Sequence, residues 1–325
     1  MSIIGRPKFD KVASDYQVVS GSKAVPSRSP WRLAKVATHL WVELRPQQWL
    51  KNLLVLAPLL FSQNLFDPVA VTRSLLAFAV FCLISSSVYL LNDLKDCGED
   101  RLHPEKCHRP LASGELGLGL ARGTMVALLI CALAGGAVLN KTFVMTLAGY
   151  WFVNLLYSTW LKHQVILDVF TLAAGFVFRV VGGAAAIQVA ISDWLLICST
   201  LLALFLGFSK RRHELLLLRE DAVRHRGVLS EYNLGFLDMM IGIVTASTLM
   251  SYALYTVSEE TVRKFNTRGL LITLPFVLYG ICRYLYLVYH KNQGGDPTQN
   301  LFTDLPTVLN LCLWAVTAAV ILYWQ

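Results

Sequence analysis

Residues 73–100 read RSLLAFAVFCLISSSVYLLNDLKDCGED, a largely apolar run over 73–91 that passes without a break into the polar string Asn92-Asp93-Leu94-Lys95-Asp96-Cys97-Gly98-Glu99-Asp100. The apolar part is close to the ~20 residues a helix needs to cross the hydrocarbon of a bilayer. Lipid cannot hydrogen-bond a free backbone, so such a run is helical. If the helix continues into the polar string, Asp93, Asp96 and Asp100 fall within an arc of roughly 60°. Three carboxylates on one stripe repel each other unless a cation lies between them. Oxygen-only ligands at this spacing suit Mg²⁺, which keeps several waters and is commonly completed by substrate phosphates. A merely solvated helix end is the weaker reading, because acidic residues at a helix C-terminus oppose the macrodipole.

The rest of the chain repeats the apolar theme. Of 325 residues, 55% are hydrophobic and 15% charged, whereas a soluble domain carries about 25% charge. Nine apolar runs can be marked, near 49–66, 73–91, 119–139, 142–160, 165–187, 193–209, 237–257, 269–289 and 305–324. The expected fold is therefore all-α, a polytopic membrane protein built as a bundle of nine transmembrane helices. Lys and Arg concentrate before the first run, after the second (Lys95, Arg101, Lys106, Arg109) and after the sixth (Lys210, Arg211, Arg212, Arg219, Arg224, Arg226). The positive-inside rule then puts the N-terminus and the Asp string in the cytoplasm, with Arg263, Lys264 and Arg268 the one blemish. The net charge of +8 reflects this topology and attraction to anionic groups, and nucleic acid is not an expected partner.

Residues 1–30 are polar and read as a mobile cytoplasmic tail. Residues 31–325 read as a single transmembrane catalytic domain preceded by an interfacial helix. In that helix Leu33, Val36, Ala37, Leu40, Trp41 and Leu44 recur at helical spacing opposite Arg32, Lys35 and Glu43, the pattern of a helix lying on a leaflet. Most of the seven cysteines lie inside apolar runs, where Cys is a small hydrophobe. Cys97 and Cys107, with His103 and His108, lack the Cys-x-x-Cys spacing of a zinc site.

Other polar groups gather at the same face. Arg45 and Trp49 suit an interface anchor, whereas Asn52, one turn into the apolar run, needs a bonding partner, and Lys51 with Asn52 is a candidate for a cavity wall. Arg101 to Pro110 forms a cationic loop that folds back beside the carboxylates, where Lys106 and Arg109 can neutralise phosphate oxygens. Tyr157 to His163, including Lys162, is a short return between two runs. Asp168 and Arg179 share nearly one helix face; Asp168 is expected near the site, and Arg179 lies about 20 Å into the bilayer by helical rise. Gly182 to Ala186 reads as close helix packing. Lys210-Arg211-Arg212 suits a helix C-terminus by the dipole alone and would equally clamp a phosphate, with Glu214 one position beyond His213.

With these residues in view, the chain resembles the UbiA superfamily of intramembrane transferases, and within it the decaprenyl-phosphate phosphoribosyltransferase branch. The segments that carry the resemblance are Arg45 to Asn52, Asn92 to Pro104, Arg109-Pro110, Leu161-Lys162-His163, Lys210 to Leu215 and Gly295-Asp296-Pro297-Thr298. Together they span 45–305. Prenyl-diphosphate users of the superfamily generally carry a second Asp-rich motif after helix six; here that position is Lys210-Arg211-Arg212-His213-Glu214. Cations there make sense if the donor brings a further phosphate, as phosphoribosyl pyrophosphate does.

The resemblance implies Mg²⁺ on Asp93, Asp96 and Asp100 with Asn92 in support, and a polyprenyl phosphate as acceptor. Lys51, Asn52, Lys106, Arg109, Tyr157, Lys162, Lys210, Arg211 and Glu214 become candidate substrate-binding residues. It further implies a place in a bacterial inner membrane, multi-pass, with the site facing the cytoplasm, and a product that is a precursor of lipid-linked pentoses. A homo-oligomer is compatible with it. Two rival readings are an aromatic prenyltransferase of the same superfamily using a polyprenyl diphosphate, and a transporter; the chain offers no convincing internal repeat for the latter.

Overall fold

The structure, a computed structural model, describes residues 30–102, 106–218, 227–291, 294–295 and 303–324. The polar tail over 1–29, His103 of the weighed zinc group, Arg219 to Arg226 and Asp296 to Thr298 lie outside these residues. The described residues are helical throughout, with no strand among them.

Helix α1, Pro30–Leu44, is followed by a 3₁₀ helix over Pro46–Leu56 that runs into α2, Ala57–Phe61. Next come α3, Pro68–Asp100, the short α4, Pro110–Ser113, α5, Leu118–Leu139, and α6, Lys141–Thr159. The second half holds α7, Leu167–Ile187, α8, Asp193–Leu218, α9, Leu234–Val257, α10, Glu259–Phe265, α11, Leu274–His290, and α12, Leu305–Tyr323.

Among the described residues seven helices are long and apolar enough to cross a membrane: α3, α5, α7, α8, α9, the stretch Gly269–His290 and α12. The chain is thus a multi-pass membrane protein, but nine uniform spans are not what it shows. The run expected over 49–66 is split between a 3₁₀ and an α segment, bracketed by Pro46 and Pro58, which cannot donate to the preceding turn. The run over 142–160 forms α6, long enough but less apolar. The split segment still joins both ends of the bundle. Arg45, just before it, meets Asp93, and Leu59 and Leu60, at its end, accept from Tyr323. At a 3₁₀ rise of about 2 Å and an α rise of about 1.5 Å per residue, 46–61 covers roughly 30 Å, about one hydrocarbon core.

Two buried clusters hold the bundle. Val55, Val80, Phe81, Ile84, Phe143, Leu147 and Tyr150 fill the first half; Val169, Phe205, Phe208, Leu237, Ile241 and Tyr284 fill the second. Helix α7 contributes to both and packs against the 3₁₀ helix. There Gly183 is obligatory, since a Cβ would stand 2.0 Å from the Val55 carbonyl oxygen. The Gly182–Ala186 stretch is therefore a packing surface, as the sequence suggests.

Helix α1 packs Val36, Leu40 and Leu44 against Leu90, Leu111 and Leu116, while Trp41 on its other side is exposed. One expectation fails here. Glu43, assigned to the solvent-facing polar side, is buried, because α4 docks over it and the Leu111 N–H donates to its carboxylate at 2.8 Å.

Candidate active site

Helix α3 does continue through the Asp string, from an N-cap at Asp67 to Asp100, and it delivers the three carboxylates to one end of the bundle. Their partners differ. Arg45 donates through Nη2 to both oxygens of Asp93, at 2.6 and 2.7 Å. Arg109 places Nη1 between Asp93 and Asp100, at 2.9 and 2.7 Å, with Lys106 Nζ 3.9 Å from the second oxygen of Asp100. Asp96 turns the other way, to Lys162 Nζ at 2.5 Å and Asn92 Nδ2 at 3.1 Å. Among the described residues no three His, Cys, Asp or Glu side chains stand close enough together to hold a metal ion in this arrangement. What the geometry supplies instead is one positive centre, the Arg109 nitrogen, bridging two carboxylates.

Local backbone explains how Arg45 gets there. It sits in the left-handed region, φ 52° and ψ 60°, at the corner between α1 and the Pro46 start of the 3₁₀ helix. That corner throws its guanidinium inward, over the Tyr89 ring, and not out to the headgroups as an interface anchor would be. Trp49, the other expected anchor, donates to Ser86 at 3.0 Å and packs edge-on to Trp41. Glu43 lies behind Asp93, and burial, followed by the like charge of Asp93, pushes its carboxyl up to about 7.

A second group is built around the last turn of α6, just before its connection to α7. Ser158 donates to Asn92 at 3.2 Å, while its neighbour Tyr157 accepts from Arg211 at 3.3 Å; that last turn thereby touches both the Asp string and the cationic end of α8. Arg211 is fully buried. It donates through Nε to Asp168 at 2.5 Å and through Nη1 to Glu214. Tyr232 completes the knot, donating to the other Asp168 oxygen at 2.7 Å. Glu214 is the strongest charged influence on Lys210, and Lys51, Arg211 and Tyr157 act on it as well. Arg212 faces elsewhere, to Asp238 at 2.6 Å and over the Tyr289 ring.

Of the residues singled out from sequence, Asn92, Asp93, Asp96, Asp100, Lys106, Arg109 and Lys162 converge around the α3 end, and Lys51, Tyr157, Lys210, Arg211 and Glu214 gather beside them. Asn52 does not join. It is fully buried, accepts from Arg179 Nε at 2.7 Å and donates to Ser85 at 3.2 Å. Its partner Ser85 is eight residues before Asp93, about 12 Å along the helix axis. Asp168 and Arg179, on one face, are not paired with each other: Asp168 goes to Arg211, and Arg179 to Asn52, the Gly175 carbonyl and Tyr150. Sequence reasoning missed Arg45 as a carboxylate partner, Glu43 and Tyr232. The Arg-Pro junction was a usable signal for the first; nothing local marks the other two.

A profile of the UbiA prenyltransferase family matches residues 53–305. A decaprenyl-phosphate phosphoribosyltransferase of Mycolicibacterium smegmatis is 29% identical over 93% of this chain and 98% of its own. One of Mycobacterium tuberculosis is 31% identical over 84% and 91%. Among solved structures, a UbiA homolog from Archaeoglobus fulgidus bound to GPP and Mg²⁺ superposes with a TM-score of 0.67 at 18% identity, covering 87% of this chain and 99% of that one. The likeness extends to the whole fold.

Proposed function

Because the chain belongs to the UbiA prenyltransferase family, a family of transferases, we propose that it moves the 5-phosphoribosyl group of phosphoribosyl pyrophosphate onto a polyprenyl phosphate, releasing diphosphate. The supporting observation is the Arg109 nitrogen held between Asp93 and Asp100. The pair is spaced to share one cation at the end of a membrane bundle, and a relative aligned over nearly all of both chains is a decaprenyl-phosphate phosphoribosyltransferase.

The donor set also fits Mg²⁺, which asks the protein for only one or two carboxylates and takes phosphate and water oxygens for the rest. Asp93 and Asp100 would hold it, with Asp96 reached by a rotation away from Lys162. Bound there, it would neutralise charge on the diphosphate. The remaining work falls to the chain itself. Arg45 and Arg109, released from the carboxylates, have donors for the diphosphate oxygens, and Lys162 has a third. Lys51 and Lys210, which act on one another electrostatically, have donors for a further phosphate, and we assign them the 5-phosphate of the donor. The bond from ribose C1 to the diphosphate oxygen breaks, its electron pair leaving with diphosphate, and a bond from C1 to an oxygen of the lipid phosphate forms. A phosphate monoester is already anionic, so no strong general base is needed.

The basic clusters at this end favour a mouth that faces the cytoplasm, by the positive-inside rule, and bacterial relatives along most of the chain favour a bacterial inner membrane. The test is to incubate membranes carrying the protein with sugar-labelled phosphoribosyl pyrophosphate, polyprenyl phosphate and Mg²⁺, and to extract the lipid. Sugar label in the lipid phase supports the proposal. No sugar label, with transfer from a prenyl diphosphate to an aromatic acceptor, replaces it with the prenyltransferase reading.

A further inference from the structure

The backbone between Lys162 and Asp168 makes an unusual turn. Ile166 has φ 69° and ψ −46°, and the N–H of Leu167 donates to the carbonyl of Val165 at 2.8 Å. A positive φ, negative ψ and an i to i+2 hydrogen bond together define the γ-turn form that is rare and strained. A β-branched residue at its centre is the least suited of all, since the Cβ substituents crowd the backbone on that side. The relaxed alternative is favoured on the order of ten- to a hundredfold in population, so something outside the turn must hold it.

The Ile166 carbonyl accepts from the N–H groups of Val169 and Phe170, and a hydroxyl from a distant part of the chain holds its N–H. Tyr232 Oη accepts the N–H of Ile166 at 2.6 Å and donates to Asp168 at 2.7 Å, whose other oxygen is fixed by Arg211. Tyr232 arrives from the connection between α8 and α9, so it pins the α6–α7 corner from a separate part of the chain. Its ring is buried and stacks on Phe236. Burial, then the adjacent Asp168, push its phenol above the usual range, which keeps the donating proton in place at all working pH. On the near side of the turn, three residues after the end of α6, Lys162 is buried and reaches Asp96 at 2.5 Å.

We propose that the Tyr232 hydroxyl clamps the γ-turn at Ile166 and so fixes Lys162 beside Asp96, making Tyr232 a positioning residue for the transfer reaction. The clamp rests on the functional reading only in its last clause, and its test has an arm that does not. Glycine occupies φ 69° without crowding, so Ile166→Gly removes the need for a clamp. In Tyr232→Phe, kcat is expected to fall about tenfold with KM for the lipid acceptor unchanged, and amide hydrogen exchange over 161–168 to rise severalfold. Ile166→Gly alone is expected to retain activity, and the double variant to regain most of the lost kcat. Exchange is read on the full-length protein in lipid nanodiscs without substrate. Unaltered exchange in Tyr232→Phe overturns the clamp whatever the reaction is. A double variant as impaired as Tyr232→Phe overturns the turn as its target. Raised exchange in a protein that transfers no phosphoribosyl group upholds the clamp and sinks the proposed reaction instead.

Discussion

Asp93 and Asp168 are both almost fully buried carboxylates held by arginine, yet the two arginines live in different surroundings. The side chains of Arg45 and Arg109, on Asp93, are 26% and 28% exposed, while that of Arg211, on Asp168, is 1% exposed. Arg211 is further locked by a second acid, Glu214, and by Tyr157. A guanidinium with water at its back can swing to an incoming anion and leave its carboxylate to a metal. One sealed between two acids cannot move without stranding charge in a dry interior. Under the proposed function the first site suits exchange, and the second suits permanence. Residue type alone cannot distinguish them.

The largest test of that contrast is Asp93→Asn. If Asp93 is the oxygen donor that the proposed function makes it, transfer should fall about a thousandfold or more. The bundle should persist, because Arg45 keeps its water contact and Glu43 loses a like-charged neighbour. The measurement is single-turnover transfer beside thermal unfolding in the same detergent; full activity would remove Asp93 from the site. Asp168→Asn should do the reverse. It strands part of the Arg211 charge, and a broken buried pair costs about 3 kcal/mol or more, read as lost thermal stability. If Asp168→Asn instead left stability alone and abolished transfer, the sealed knot would itself be catalytic and the comparison would collapse.

Much of the exchangeable site was legible in the sequence, because its defining feature is periodic. Three acids on one helical stripe, after an apolar run, can be read from spacing alone, and α3 carries them as expected. The bundle of helices was legible for the same reason. The permanent site was not, since its members are non-local: Tyr232 reaches back 64 residues to Asp168, and no motif announces it. Arg211 carried a phosphate-binding expectation because cations in a row look alike; in the structure its partners are Asp168, Glu214 and Tyr157. Of two unusual backbone corners, only that at Arg45 carried a local mark, the Pro46 that follows it. Arg45 and Ile166 adopt positive φ, which neither side chain favours, so only the tertiary contacts reveal why the chain turns there. The count of nine is not confirmed: seven helices among the described residues are long and apolar enough on their own, while the 3₁₀ segment covers a similar distance at roughly 2 Å per residue.

Lys210→Ala sharpens the contrast inside one pair of neighbours. If Lys51 and Lys210 share the donor's 5-phosphate while Arg211 only holds the frame, losing Lys210 should raise KM for phosphoribosyl pyrophosphate about tenfold, some 1.4 kcal/mol, and leave KM for the lipid and the melting temperature near their original values. Equal weakening of both substrates would return Lys210 to the role of a topological charge.

The smallest effect belongs to Glu43, which ties the exchangeable site to pH. Its carboxyl titrates near 4.5 when the chain is unfolded and about 7 in the folded protein, raised by burial and then by Asp93. Between those values the folded state holds a proton that the unfolded state has released. The contribution to stability is therefore complete below about 4.5, and it is lost as pH climbs through about 7. The Leu111 N–H on the carboxylate favours the ionised form and is already contained in the value of about 7, so the slope between pH 5.5 and 7 is on the order of 1 kcal/mol per pH unit. Glu43→Gln, which imitates the protonated state, should flatten that slope in denaturant titrations at several pH values. Asp93→Asn should flatten part of it as well, by removing the neighbouring charge. A slope that survives both changes would place its source elsewhere and leave Glu43 as a passive cap on Leu111.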